Sequence, residues 1–214
     1  LWLQLDQNMR AKDSDTYKIR TNQLDDKVSS GQLNRLKSNF DGGFKIDYVK
    51  DNNGKDLSYT INKTMMRIDL PKHLNTKESF SFKIKWWYNI NDRMEIGGRS
   101  GYEYFKEDGN HLYTIAQFFP RMAVYSDDEG WQNKQFLGRG EFTLPFGDYE
   151  VNLTVPTDHI VSATGIIQNE KEVLTKTQYK RWQEAKTSYE KPIMIVTEAE
   201  AREAEKSKIK EKKT

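Results

Sequence analysis

Leu1, Leu3 and Leu5 alternate with Trp2 and Gln4, which predicts a strand at the start of the chain. Residues 8–42 lose that rhythm and are rich in Asp, Ser, Asn and Gln. Leu24, Val28, Leu33 and Leu36 leave room for a short helical turn or two, so this segment reads as a long connecting excursion. Period two then returns, with Phe44, Ile46 and Tyr48 set against Lys45 and Asp47. Asp51-Asn52-Asn53-Gly54 predicts a hairpin turn, because Asn-Gly accepts the positive φ that tight turns require. Leu57, Tyr59 and Ile61 follow as a strand, and Met66, Ile68 and Leu70 as another, closed by Pro71.

Phe80-Ser81-Phe82-Lys83-Ile84-Lys85-Trp86 is the clearest strand, with one apolar and one wet face. Trp86-Trp87-Tyr88 carries aromatics onto both faces, as expected of a strand covered on both sides or meeting a neighbouring domain. Gly97-Gly98-Arg99-Ser100-Gly101 is a flexible loop; it lacks the spacing and the lysine of a phosphate-binding loop. Further on, Phe142, Leu144 and Phe146 fall on even positions, and Tyr149, Val151, Leu153 and Val155 on odd ones. An odd slip reverses the buried face, so a bulge or bend is expected at Pro145–Gly147.

The character changes after Gly165. Tyr179, Trp182, Ala185 and Tyr189 space out one face of a short helix, ended at Lys191-Pro192. Ile193–Val196 is a brief strand-like run. Residues 198–213 are rich in Glu, Ala and Lys, with Ile209 the lone large apolar residue; they predict a solvated helix or a disordered tail.

The composition narrows the function classes. The 214 residues carry 34 Lys+Arg against 32 Asp+Glu, a net charge of +2 that gives no general support to a nucleic-acid partner. The basic excess lies wholly in the segment from Glu170 onward. Charged residues make up 31% and the mean hydropathy is −0.90, yet aromatics at 12% suffice for a core. The lack of cysteine excludes disulfides, thiolate metal sites and thiol nucleophiles. No apolar run approaches the roughly 18 residues of a membrane helix. The chain opens mid-strand without a Met, which reads as the start of an excised fragment.

Candidate chemistry is sparse. His73, His111 and His159 stand apart from one another and lack the His-Glu-x-x-His spacing, so each reads as structural or surface. Asp127-Asp128-Glu129 reads as an exposed turn before Gly130-Trp131, with a metal cluster or a subsite for basic peptides as the alternatives. Asn62-Lys63-Thr64 and Asn152-Leu153-Thr154 match the glycosylation triplet, the second within an expected strand. Tyr113-Thr114-Ile115-Ala116-Gln117-Phe118-Phe119-Pro120-Arg121 is strand-like but carries an amide, a proline and an arginine, as a strand ending at a rim would.

That stretch, continued through Met122-Ala123-Val124-Tyr125 to Trp131, then Phe136–Phe142, Phe146–Val151 and Val155–Gly165, resembles the N-terminal domain of zinc aminopeptidases of the aminopeptidase N and leukotriene hydrolase family, in a bacterial branch. The resemblance covers roughly residues 1–169, by motif in its later half and by pattern in its first hundred residues. It implies a mainly β fold: an antiparallel saddle-like sandwich over residues 1–169, truncated at its start, followed by a charged helical or partly disordered segment, 170–214, leading to a missing catalytic domain. The family's zinc is held by a His-Glu-x-x-His helix and a downstream Glu, and a Gly-x-Met-Glu-Asn loop grips substrate; neither occurs here. The resemblance therefore implies zinc in the missing domain, no cofactor in this chain, no activity of the chain alone, and a periplasmic or extracellular setting.

In this family the N-terminal domain contributes one wall of the substrate cleft. A Gln or Glu in a Thr-Gln-x-Gln or Thr-Gln-x-Glu sequence receives the free α-amine of the peptide. Thr114-Ile115-Ala116-Gln117 aligns with it, so Gln117 stands at the amine-binding position and Ile115 replaces the family's first Gln. Arg121 corresponds to the family's Ala-Arg arginine, with a shorter intervening segment, and the resemblance implies that it joins Gln117 at the substrate-binding site, supporting the rim through structural hydrogen bonds. The implied partners are a peptide N-terminus and the protein's own catalytic domain. Two other classes stay open on the residues alone: a carbohydrate-binding sandwich with Trp86, Trp87 and Tyr88 as a stacking platform, and a structural domain whose aromatics are buried against a protein partner.

Overall fold

In the computed structural model the described residues are 1–22, 26–107, 109–138, 143–156, 159–207 and 212–213. They form two compact units, Leu1–Gly147 and Asp148–Thr214. This division falls ahead of the change in composition at Glu170.

The first unit is built on β1 (Trp2–Gln4), the strand that the leading alternation predicts. A 3-10 helix, Asp6–Arg10, follows it, then α1 (Asp15–Asn22) and α2 (Ser30–Lys37). Next come β2 (Lys45–Asp51), β3 (Tyr59–Asn62), β4 (Met65–Ile68) and β5 (Phe82–Trp87). Helix α3 (Arg93–Ile96) precedes a hairpin of β6 (Gly101–Phe105) and β7 (Asn110–Thr114). The short strands β8 (Arg121–Met122), β9 (Tyr125–Ser126) and β10 (Gly130–Trp131) end this run. All the pairings between these strands are antiparallel.

β1 is an inner strand of a sheet ordered β3-β4-β1-β8. Leu3 is the register partner of both Met66 and Met122, and Gln4 of both Met65 and Arg121. One face of this sheet joins the core: Leu3, Leu5, Met66 and Ile68 are buried with Phe44, Val49 and Leu57. Phe82, Ile84 and Trp86 of β5 pack against the same cluster, so the ribbon β2-β5 shares one hydrophobic interior with the four-stranded sheet. The alternation in β5 is kept, with Lys83, Lys85 and Trp87 outward and Phe82, Ile84 and Trp86 inward.

The turn after β2 forms as its residues predict. Gly54 has φ 82°, and Asp51 Oδ1 accepts from the backbone N–H of Asn53 and Lys55 at 2.8 and 2.9 Å. Its return arm is brief, however. Leu57 N–H donates to Val49 O at 2.9 Å, and then the chain leaves for β3, while β2 pairs along its length with β5.

Four expectations are corrected. Residues 8–42 hold the 3-10 helix, α1 and α2, whereas a connecting excursion with a helical turn or two is expected from the pattern. Hydrogen bonds supply what the missing apolar stripe does not: the Ser14 hydroxyl caps α1 by accepting from Tyr17 N–H at 3.1 Å, and Tyr17 Oη ties α1 to α2 by donating to Leu36 O at 3.1 Å. Leu24 lies outside the described residues. Second, residues 143–154 contain no strand, and Leu144, Phe146, Tyr149, Val151 and Leu153 are exposed. Alternation offers a face, but a strand needs a partner whose position no local pattern specifies. Phe142 lies outside the described residues.

The third and fourth corrections concern the second unit. There Val155–Pro156 (β11) pairs with Lys212–Lys213 (β12), and the helices are α4 (Glu170–Val173), α5 (Lys176–Ala185) and α6 (Glu198–Ser207). α5 starts at a capping box between Thr175 and Gln178 and stops at Ala185, leaving Tyr189 outside the helix and exposed. The Thr187 and Ser188 hydroxyls bond to Glu184 O at 3.2 Å and Lys191 O at 2.6 Å, competing with continuation. The run 193–196 is not a strand; Arg181 Nη1 donates to Ile195 O at 3.1 Å. Of the helix or disordered tail expected over 198–213, residues 198–207 form α6 and 212–213 form β12, and Ile209 lies outside the described residues.

Glu200 anchors the start of α6. It accepts from Arg181 Nη1 at 2.6 Å, from Thr197 N–H at 2.8 Å and from Thr197 Oγ1 at 2.8 Å. The Arg181 hydrogen bond first, and the Thr197 bonds after it, hold the carboxyl at about 2, below the ordinary 4.5. A depressed acid stabilises above its unfolded value and loses that contribution as pH falls through the folded one. The first turn of α6 is therefore expected to persist through mild acid and to fray near pH 2, read by amide exchange at Thr197 and Glu200. Fraying already complete at pH 4.5 would contradict this.

Candidate functional site

Gln117 lies three residues beyond β7, on a short segment that crosses to β8. Gly101 opens the hairpin that leads there. Its φ is 152°, and a Cβ at that position would meet Asn91 O at 2.7 Å, so no larger residue fits without displacing backbone. Ser100, 2% exposed, ties off the end of β7: its hydroxyl donates to Thr114 O at 3.1 Å and accepts from Ala116 N–H at 3.2 Å.

Beyond Ser100, three consecutive carbonyls are each captured. Gln7 Nε2 donates to Ala116 O at 3.0 Å and to Gln117 O at 3.1 Å. Trp86 Nε1 donates to Phe118 O at 3.0 Å. Gln117 itself has φ 54°, a left-handed conformation that costs a non-glycine residue about 1–2 kcal/mol and persists only where its surroundings enforce it. Its side chain is partly exposed, and its amide makes no hydrogen bond among the described residues.

Arg121 faces inward from β8. Its Nε and Nη2 grip Asp6 Oδ2 and Oδ1 at 2.7 and 3.1 Å, a bidentate pair in which the Asp6 side chain is fully buried and Arg121 is 13% exposed. Burial pushes the Asp6 carboxyl up from its ordinary 3.8, and the Arg121 fork pulls it back. Its guanidinium is thus engaged in holding β8 to the 3-10 helix. Asn8 completes that helix's role: its Oδ1 accepts from Phe44 N–H at 2.7 Å and its Nδ2 donates to Lys63 O at 2.7 Å.

The other candidates scatter. Trp86 and Tyr88 turn inward, the latter edge-on to Phe44 at 5.4 Å, while Trp87 is outward and half exposed, so the three do not form one platform. His111 sits among Tyr102, Tyr104 and Tyr113 on the β6-β7 hairpin, its ring 4.7–5.8 Å from theirs. His73 is exposed and His159 partly buried. Asp127, Asp128 and Glu129 form the exposed turn between β9 and β10. Among the described residues no three His, Asp or Glu side chains gather as a metal site. Asn62 is exposed at the end of β3, whereas Thr64 is buried, its hydroxyl donating to Gln135 Oε1 at 2.7 Å and accepting from Phe136 N–H at 2.7 Å. Asn152 is exposed outside any strand.

Asp6, Gln7 and Arg10 are the residues that sequence reasoning missed. The available signal was a run of polar residues directly after Leu5, at the end of an apolar strand. No helix is long and apolar enough to cross a membrane among the described residues. No family model, curated protein or solved structure matches the chain.

Proposed function

We propose that the chain is the non-catalytic N-terminal domain of a zinc aminopeptidase, its β elements forming a saddle-like sandwich that walls part of the substrate cleft. Gln117 is the acceptor for the free N-terminal amine of the peptide, through the oxygen of its neutral amide. The zinc and its general base lie in a catalytic domain C-terminal to Thr214.

The observation that carries this reading is the state of Gln117. Its backbone is held by the buried Gln7 amide, in a conformation that costs free energy, while its side-chain amide is partly exposed and makes no hydrogen bond among the described residues. An exopeptidase needs such a group, because an ammonium that leaves water must find an acceptor in the cleft. Arg121 supports the rim through Asp6, and so acts on the site by fixing the strand next to it.

The test is Gln117→Ala in the zinc enzyme that contains this chain. kcat/KM on aminoacyl substrates is expected to fall about tenfold to a hundredfold, the worth of a hydrogen bond to a charged group, with zinc content intact. Unchanged kinetics would reject the assignment.

A further inference from the structure

We infer that Gln7, more than a hundred residues away in sequence, is the positioning residue that sets the direction of the Gln117 side chain. The functional consequence rests on the reading of Gln117 as an amine acceptor; the conformational consequence does not.

Gln7 is 2% exposed, and each end of its amide is committed. Its Oε1 accepts from Arg10 Nη1 at 2.9 Å, and its Nε2 serves Ala116 O and Gln117 O. Arginine can only donate and carbonyls can only accept, so the orientation of this amide is determined by its partners. Consecutive carbonyls along an extended strand point to opposite sides. Here two of them converge on one NH2 group, which requires the chain to turn at Gln117. The left-handed φ of 54° is that turn. Trp86 Nε1 takes the next carbonyl, that of Phe118, and adds a second tie to the segment. With the backbone so held, the Gln117 side chain projects from a fixed Cα, and a ligand does not have to order the segment.

The discriminating variant is Gln7→Glu. It keeps an oxygen for Arg10 but replaces the NH2 donor by an acceptor, which opposes both carbonyls. Solution NMR on this chain reads the result. In the unmodified chain, scalar couplings across the hydrogen bonds are expected from Gln7 Nε2 to the Ala116 and Gln117 carbonyls. In Gln7→Glu the HN–Hα coupling of Gln117 is expected to change to an extended value. The affinity for alanyl-alaninamide, a probe with a free amine and no carboxylate, is expected to weaken about fivefold to thirtyfold, the population penalty for losing one left-handed residue. N-acetyl-alanyl-alaninamide is expected to bind neither form.

An unchanged Gln117 coupling and unchanged affinity in Gln7→Glu would overturn the inference. So would the absence of the through-bond couplings in the unmodified chain, a measurement that decides the matter even if the variant does not fold. If the couplings and the conformational change are seen but the unmodified chain ignores the free-amine probe, the amine-acceptor reading fails and the positioning role of Gln7 is upheld.

Discussion

Arg121→Leu is expected to destabilise the first compact unit by about 3–5 kcal/mol, measured by urea unfolding at neutral pH. The variant leaves Asp6 ionised and fully buried, without the guanidinium that grips both of its oxygens. Breaking one side of a buried pair is costly because the remaining charge has nowhere to go. Removing both sides is far milder, so Asp6→Leu with Arg121→Leu is expected to recover much of the loss. The pH dependence follows from the same burial. Desolvation already raises the Asp6 carboxyl above 3.8, and loss of Arg121 raises it further. A folded state with a raised acid binds more protons than the unfolded one, so its stability falls as pH climbs from 3.8 through the folded value. The deficit of Arg121→Leu should therefore shrink as pH falls through the raised folded value toward 3.8, and level off below it. A deficit under 1 kcal/mol at neutral pH, or one independent of pH, would show that the pair does not bear on stability as argued.

Leu5→Ala is expected to cost about 2–5 kcal/mol, while Phe146→Ala should change stability by less than about 0.5 kcal/mol. Leu5 has no exposed surface and touches the shared core; it also stands where the chain leaves β1 for the 3-10 helix, its N–H bonded to Thr64 O at 2.8 Å. Its truncation opens a cavity that two sheets cannot close together. Phe146 is the larger side chain, and hydrophobic pattern alone would rank it as core, yet it is fully exposed. If Phe146→Ala cost 3 kcal/mol or more, residues 143–154 would have to be a buried strand after all.

The strands with a buried face were legible even where their partners lie far along the chain. β1, β2, β4 and β5 each show period-two alternation, and the Asp51–Gly54 turn carries its own chemistry. The segment 143–154 alternates as well and forms no strand, so the pattern alone does not supply the partner that a strand needs. The candidate site was legible only as far as Gln117 and Arg121, through their place in a resembled motif. The group that Arg121 grips, and the amide that holds Gln117, lie on a five-residue helix that starts between the leading strand and the stretch, 8–42, that reads as polar connection.

By itself the sequence determined the alternating faces and the turn at Gly54, because each depends on residues within a few positions of one another, and its composition excluded thiol chemistry. Only the tertiary structure decided which strands pair, and that Asp6 and Gln7 meet Arg121 and Gln117. Those contacts join residues more than a hundred positions apart, and a buried polar group announces its partner through no local period. It is stable only because the folded interior brings the complementary donor or acceptor to it.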